Sequence, residues 1–210
     1  MADTQQESTA REAGAESPGR IRTIVECAAA IALIAIGAQV TIPLGFLKFT
    51  LQVLVVMLVA LVFKPVPALV TMACYILLGA VGVPVFSWSG APGLARLVGP
   101  FGGYLFSYVL AAPLGSLVRR AICPPARRAQ ARSRGVVADV AALLVVAVTI
   151  YLVETVYFVA IGAPGAPSTG IVGVLLFTTI PYIPAEALKA VAAFFIARSL
   201  RRAIPSLAER

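Results

Sequence analysis

Histidine is absent from this 210-residue chain, and cysteine occurs only at Cys27, Cys74 and Cys123, with no Cys-x-x-Cys spacing. These shortages exclude a Cys/His metal centre and argue against a disulfide framework. Without histidine there is no Ser–His or Cys–His nucleophile pair, so hydrolytic chemistry of the familiar kinds has no residues to run on, and no enzyme is expected. None of the three lysines belongs to a Gly-x-x-x-x-Gly-Lys phosphate loop, so the chain is not expected to hydrolyse ATP itself. No cofactor is expected. Charge is scarce too: Asp, Glu, Lys and Arg make up 12% of the residues, about half the usual share.

What the chain has in excess is hydrocarbon. Hydrophobic residues account for 60% of it, against about 45–50% in soluble proteins. A chain this apolar has no surface to offer water, and it reads as an all-α integral membrane protein. Apolar runs fall at about 22–42, 49–64, 66–83, 101–121, 136–161 and 170–197. A span of about 20 residues at 1.5 Å rise crosses the roughly 30 Å hydrocarbon core, and four of the runs meet that length. The second and third are shorter and are divided by Lys64-Pro65-Val66-Pro67, which must end one helix and begin the next. The expectation is six transmembrane helices.

Charge placement orients them. With six spans, Arg11, Arg20, Arg22, Lys64, six linker arginines (Arg119, Arg120, Arg127, Arg128, Arg132 and Arg134), Arg198, Arg201, Arg202 and Arg210 share one side. That is fourteen, against Lys48 and Arg96 on the other, with Lys189 inside a helix. The positive-inside rule then makes the N and C termini cytoplasmic. The net charge of +8 does not imply nucleic acid, because no aromatic residue is interleaved with the linker arginines for stacking on bases. Residues 1–19 read as a disordered cytoplasmic tail, 20–202 as the six-helix membrane domain and 203–210 as a second cytoplasmic tail. The leader is not expected to be a cleaved signal, since its charges are mixed and the first apolar run exceeds a signal core.

Within the last run, Glu186 and Lys189 stand three residues apart, on one helix face. An ionisable side chain near mid-bilayer costs about 2.5–3.5 kcal/mol on insertion scales, so it faces a partner or a ligand. The pair either locks helices together or marks a site for a small polar molecule, and Pro184 starts or kinks the helix just upstream. In the fifth run Tyr151, Glu154 and Tyr157 form one polar stripe, and Glu154 either lines a cavity or neutralises Lys189. The apolar, Gly- and Pro-rich segment 84–104 should fold back on the protein as a lid, with Arg96 turned towards an anionic ligand and Phe86, Trp88 and Tyr104 as walls. Trp88 and Tyr104 can instead be interfacial anchors. Thr50 is read as the cap of the next helix, and Gln52 as a polar group at the mouth of the cavity. Gly99 and Gly103 can serve close helix packing, as can Ala28 and Ala32, also four apart.

The order Ile42-Pro43-Leu44-Gly45, Phe49-Thr50-Leu51-Gln52, Leu77-Leu78-Gly79-x-x-Gly82-x-Pro84-Val85-Phe86, Gly99-Pro100-x-Gly102-Gly103-Tyr104 and Pro184-x-Glu186-x-x-Lys189 resembles the BioY family, over about residues 22–200. These are the biotin-specific substrate-binding (S) components of energy-coupling factor (ECF) transporters. The resemblance implies high-affinity biotin capture in the bacterial cytoplasmic membrane, with a transmembrane coupling protein and two cytoplasmic ATPase subunits as partners. The bilayer surrounds it, and a homo-oligomer is left open. By position, Glu186 and Lys189 match the acid and lysine that contact biotin, and Arg96 matches the arginine before Gly-Pro-x-Gly-Gly-Tyr. Glu186 stands where Asp is expected and Phe101 where Thr is usual. Biotin's groups suit these residues: Glu186 can accept from the ureido N–H groups, Lys189 can meet the ureido oxygen or keep Glu186 ionised, and Arg96 can take the carboxylate. The resemblance also assigns the Ala28/Ala32 face to the coupling protein. The alternative is a proton-coupled secondary transporter using Glu154, Glu186 and Lys189 as a relay, although no inverted repeat between the halves is evident.

Overall fold

A computed structural model describes residues 18–44, 47–88, 91–124, 132–161 and 170–204. Most of the expected 1–19 leader, most of the C-terminal tail and the middle of the arginine linker lie outside the described residues. The elements are helix α1 (Pro18–Gln39), strands β1 (Thr41–Leu44) and β2 (Leu47–Thr50), α2 (Gln52–Val62), α3 (Pro65–Ala80), α4 (Leu94–Leu97), α5 (Gly102–Ile122), α6 (Arg132–Ala160), α7 (Gly170–Thr178), a 3₁₀ turn (Ile180–Tyr182) and α8 (Ile183–Ala203). Gly19–Gln39, Gly102–Ile122, Ser133–Ala160 and Ile171–Ala203 are long and apolar enough to cross a membrane. α2 and α3 are shorter apolar helices.

Two expectations change in the structure. The connection at 41–50 is an antiparallel hairpin, with Thr41 opposite Thr50 and Ile42 opposite Phe49. The run at 170–197 is interrupted: Pro181 and Pro184 lie in the 3₁₀ turn and the first turn of α8, where a missing N–H and a fixed φ are tolerated. α7 and α8 are therefore separate helices.

α2 explains how a short helix fits a membrane fold. Nine of its eleven residues are buried, so it is wrapped by α1, α5, α6 and α8 and is not a lipid-facing span. Lys64 precedes Pro65 and is extended (ψ 157°), because an α conformation before proline clashes with the ring. The helix thus ends inside the protein with carbonyls that no later turn can satisfy. Ser116 of α5 donates to Phe63 O at 2.6 Å, and Arg201 Nη1 of α8 donates to Leu61 O at 3.1 Å. The guanidinium also complements the negative end of the α2 dipole.

α5 and α6 form the most extensive helix contact. Gly103, Ser107, Ala111 and Gly115 recur every four residues along α5 and are buried, the spacing that lets two backbones close on each other. A Cβ on Gly115 would sit 2.6 Å from Val146 Cγ2, so the seam has no room for one.

The next residue in that register is Arg119. Its Nε donates to Asp139 Oδ1 of α6 at 2.7 Å, and Arg201 Nη2 donates to Asp139 Oδ2 at 2.6 Å. Arg119 and Asp139 are buried, and Arg201 is part-buried. Two of the fourteen arginines and lysines counted above as orienting charges are therefore ion-paired within the protein. Asp139→Ala would strand the buried guanidinium of Arg119 and the part-buried one of Arg201 at once. The expected cost is about 3–5 kcal/mol, read as a lowered thermal midpoint in detergent, with Asp139→Asn less damaging; an unchanged midpoint would contradict this account.

Candidate functional site

The ends of α2 and α8 opposite the Asp139 cluster open onto a cavity of about 330 Å³, within the range of small-molecule pockets. The hairpin, α2, the 84–101 segment, α5 and α8 all contribute to its wall. Gln52, Phe86, Arg96, Tyr104, Glu186 and Lys189, the residues singled out from sequence, line it together with Thr50, Ser87, Phe101, Tyr108 and Tyr182.

Glu186 falls in the first turn of α8, where the helix dipole favours a negative charge, and Lys189 follows one turn later. Lys189 Nζ donates to Glu186 Oε1 at 2.7 Å, with both side chains buried. Glu186 Oε2 is buried and meets no donor at hydrogen-bonding geometry among the described residues, although the Tyr151 hydroxyl faces the same carboxylate. Lys189 Nζ also lies 5.9 Å from the centre of the Phe49 ring, and that ring packs at 4.7 Å on Tyr182. The result is a neutral pair in an aromatic cage with one acceptor oxygen to spare.

The 84–101 segment is tied down, as its apolar composition required. Gln39 Nε2 at the end of α1 donates to Phe86 O at 3.1 Å, and Thr41 and Ser87 hydroxyls meet at 3.1 Å. The Phe86 ring is edge-on to Tyr75 at 5.5 Å and lies directly over Gly79 of α3, where any Cβ would collide with it. Gly79 is what lets Phe86 reach the cavity. At the other end Tyr157 of α6 donates to Leu97 O at 2.7 Å and so fastens α4, which carries Arg96. Arg96 is part-buried in the wall, without an acidic partner among the described residues.

Three expectations are corrected. Trp88 is not in the wall; it is 84% exposed, because the bonds on either side turn Phe86 and Ser87 inwards and leave the next residue outside. Glu154 is fully buried but neither lines the cavity nor pairs with Lys189. Its carboxylate is pressed against Gly103 at the start of α5 and faces the Tyr104 N–H of that helix's first turn, although neither oxygen meets a donor at full hydrogen-bonding geometry among the described residues. Thr50 is not a cap, since the residue at the cap position is Leu51 and Thr50 Oγ1 instead donates to Gln52 Oε1 at 3.1 Å. Gly103 does serve helix packing.

Tyr75, Tyr108 and Tyr182 were missed. Tyr108 carried a signal, four residues from Tyr104 and hence on the same face of α5. Tyr75 and Tyr182 carried none. Ala28 and Ala32 of α1 are both exposed, so neither is used for packing within the chain.

The fold and the cavity together define a multi-pass membrane protein with a ligand-sized, polar-lined pocket among its helices. The chain belongs to the BioY family, whose model matches residues 6–206. It is 45% identical over 92 residues to the biotin transporter BioY of Thermotoga maritima, covering 44% of this chain and 54% of that protein. It is 40% identical over 87 residues to biotin transporter BioY2 of Lactococcus lactis, covering 41% and 46%. The chain thus spans about half the length of the curated relatives it matches. The crystal structure of an S-component for biotin from an ECF-type ABC transporter has the same fold, with a TM-score of 0.75 at 20% identity, covering 88% of this chain and 93% of that one.

Trp88 is the one tryptophan in the chain and therefore a direct probe of this loop. A water-soluble quencher such as acrylamide should quench its fluorescence nearly as efficiently as it quenches free indole. Strong protection from acrylamide that persists against a detergent-soluble quencher would mean that the ring is turned into the protein, and protection lost to the latter would make Trp88 an interfacial anchor.

Proposed function

We propose that this chain captures biotin for uptake across the bacterial cytoplasmic membrane, as the substrate-binding component of an ECF-type transporter. Family membership, with relatives named as biotin transporters, carries the reading, and the chemistry of the cavity supports it. Glu186 accepts from the ureido N–H groups through the oxygen that lacks a partner. Lys189 pairs with that carboxylate, the tyrosine and phenylalanine rings cover the apolar thiophane ring, and Arg96 takes the carboxylate of the valerate chain. The proton-coupled carrier is not favoured, as Glu154 lies apart from the Glu186–Lys189 pair.

In this reading α1, α2, α3, α5, α6 and the α7–α8 stretch are six spans, with both termini cytoplasmic and the cavity opening outward. Setting aside the two arginines paired with Asp139 reduces the fourteen basic residues of the cytoplasmic side to twelve, still against two. A transmembrane coupling protein and two cytoplasmic ATPase subunits would supply the energy. The exposed Ala28/Ala32 face of α1 is the surface offered to the coupling protein, since small residues allow helices to approach closely.

Calorimetry on the purified protein in detergent should show saturable biotin binding, with no response to thiamine or riboflavin. Glu186→Ala should weaken that binding by about 1–3 kcal/mol, the cost of orphaned buried polar groups; a folded variant with unchanged affinity would remove Glu186 from the site. Ala28→Leu or Ala32→Leu should abolish uptake by cells that carry the whole transporter while leaving biotin affinity intact. Loss of binding in those variants would instead point to a structural role.

A further inference from the structure

The polar end of α2 contains a hydrogen-bond relay whose polarity can be worked out proton by proton. Tyr75 Oη lies 3.0 Å from Val85 O, and a carbonyl can only accept, so the single hydroxyl proton of Tyr75 is committed to it. Tyr75 Oη must then accept from Gln52, at 2.6 Å, which fixes the side-chain amide with Nε2 towards Tyr75. Gln52 Oε1 correspondingly accepts from Thr50 Oγ1 at 3.1 Å. An amide nitrogen has two N–H groups. The second N–H of Gln52 has no acceptor among the described residues, and Gln52 is a buried residue in the cavity wall.

We propose that Gln52 is a specificity-determining residue: a donor whose orientation Tyr75 fixes and that accepts only ligands presenting a carbonyl oxygen at that point. The inference rests on the biotin reading above and assigns the ureido oxygen to this donor. Position supports that choice. α2 and α8 run in the same direction, since Phe49 lies beneath Lys189 at one end and Leu61 O is bonded to Arg201 at the other. Nine residues back from each member of the latter pair brings Gln52 level with Ala192, within one turn of Lys189. Gln52 therefore stands within one turn of Lys189 and about 9 Å along α8 from Glu186, so the ureido oxygen and the ureido N–H groups, which point away from each other, are met at separate levels of the cavity. Turning the amide to offer Oε1 instead would set that oxygen against Tyr75 Oη, whose only proton is held by Val85 O, and so would lose the bond to Tyr75; the Thr50 hydroxyl, which can donate or accept, fits either orientation. A site built to donate rejects an analogue that also donates, because two N–H groups would then face each other without an acceptor.

The test compares biotin with 2-iminobiotin, in which a protonated imino group replaces the ureido oxygen, on the full chain in detergent at neutral pH. The wild type should prefer biotin. Gln52→Glu keeps the shape, replaces the donor by an acceptor, and should lose roughly tenfold or more in biotin affinity while gaining affinity for 2-iminobiotin, which inverts the preference. Tyr75→Phe, which frees the amide to turn, should narrow the preference in the wild-type background, and a thermal midpoint for each variant separates this from misfolding. Biotin binding by the wild type with a ratio unmoved in both variants overturns the assignment to Gln52 alone. Failure of the wild type to bind biotin overturns the capture reading and this inference with it.

Discussion

A polar group in hydrocarbon has no water to turn to, so each backbone carbonyl and each charge must be satisfied from within the protein. The architecture can be read as a set of answers to that demand. α2 stops inside the fold because of Pro65, and its last carbonyls are met by Ser116 and Arg201. Arg201 and Arg119 then require an anion, which Asp139 supplies with both oxygens. At the other end Lys189 is neutralised by Glu186 three residues away. The irregular backbone around 84–97 is bound by Gln39, Tyr75 and Tyr157.

The two ends of the bundle use the demand differently. Around Asp139 the carboxylate is saturated, and the cluster ties α5, α6, α8 and the end of α2 together. Around Glu186 the account is left open: Glu186, Gln52 and Arg96 line one cavity, and one oxygen of Glu186 meets no donor at hydrogen-bonding geometry among the described residues. A saturated network makes a joint, and an unsaturated one of the same residue types makes a site. Glu154 fits neither description. It is buried against the first turn of α5, where its carboxylate faces the Tyr104 N–H and the positive end of that helix dipole.

Close packing makes the cavity usable. The Gly–Ser–Ala–Gly stripe of α5 brings α6 near enough for Tyr157 to hold the Arg96 turn, and Gly79 of α3 gives Phe86 the space to lie in the wall. Large side chains at those positions would still be compatible with a membrane, yet they would push the loop and its arginine away from α8. The small residues therefore bear on the site as directly as the polar ones, without touching a ligand.

Sequence alone determined what depends on composition and on neighbours a few residues apart. Hydropathy settled the membrane class, because the cost of transferring charge into hydrocarbon is independent of fold. The i, i+3 spacing settled the Glu186–Lys189 pair, because helix geometry places those residues on one face whatever surrounds them. The motif order pointed to the family. Only the tertiary structure decided relations across distant segments. Arg119 and Arg201 looked like orienting charges until Asp139 was found between them. Thr50 looked like a cap until Gln52 was found beside it. Trp88 and Phe86, two residues apart in one loop, went to opposite sides because of bonds from α1, α3 and β1. A side chain's partner on another helix is set by how the helices pack, and that packing leaves no periodic trace in the chain.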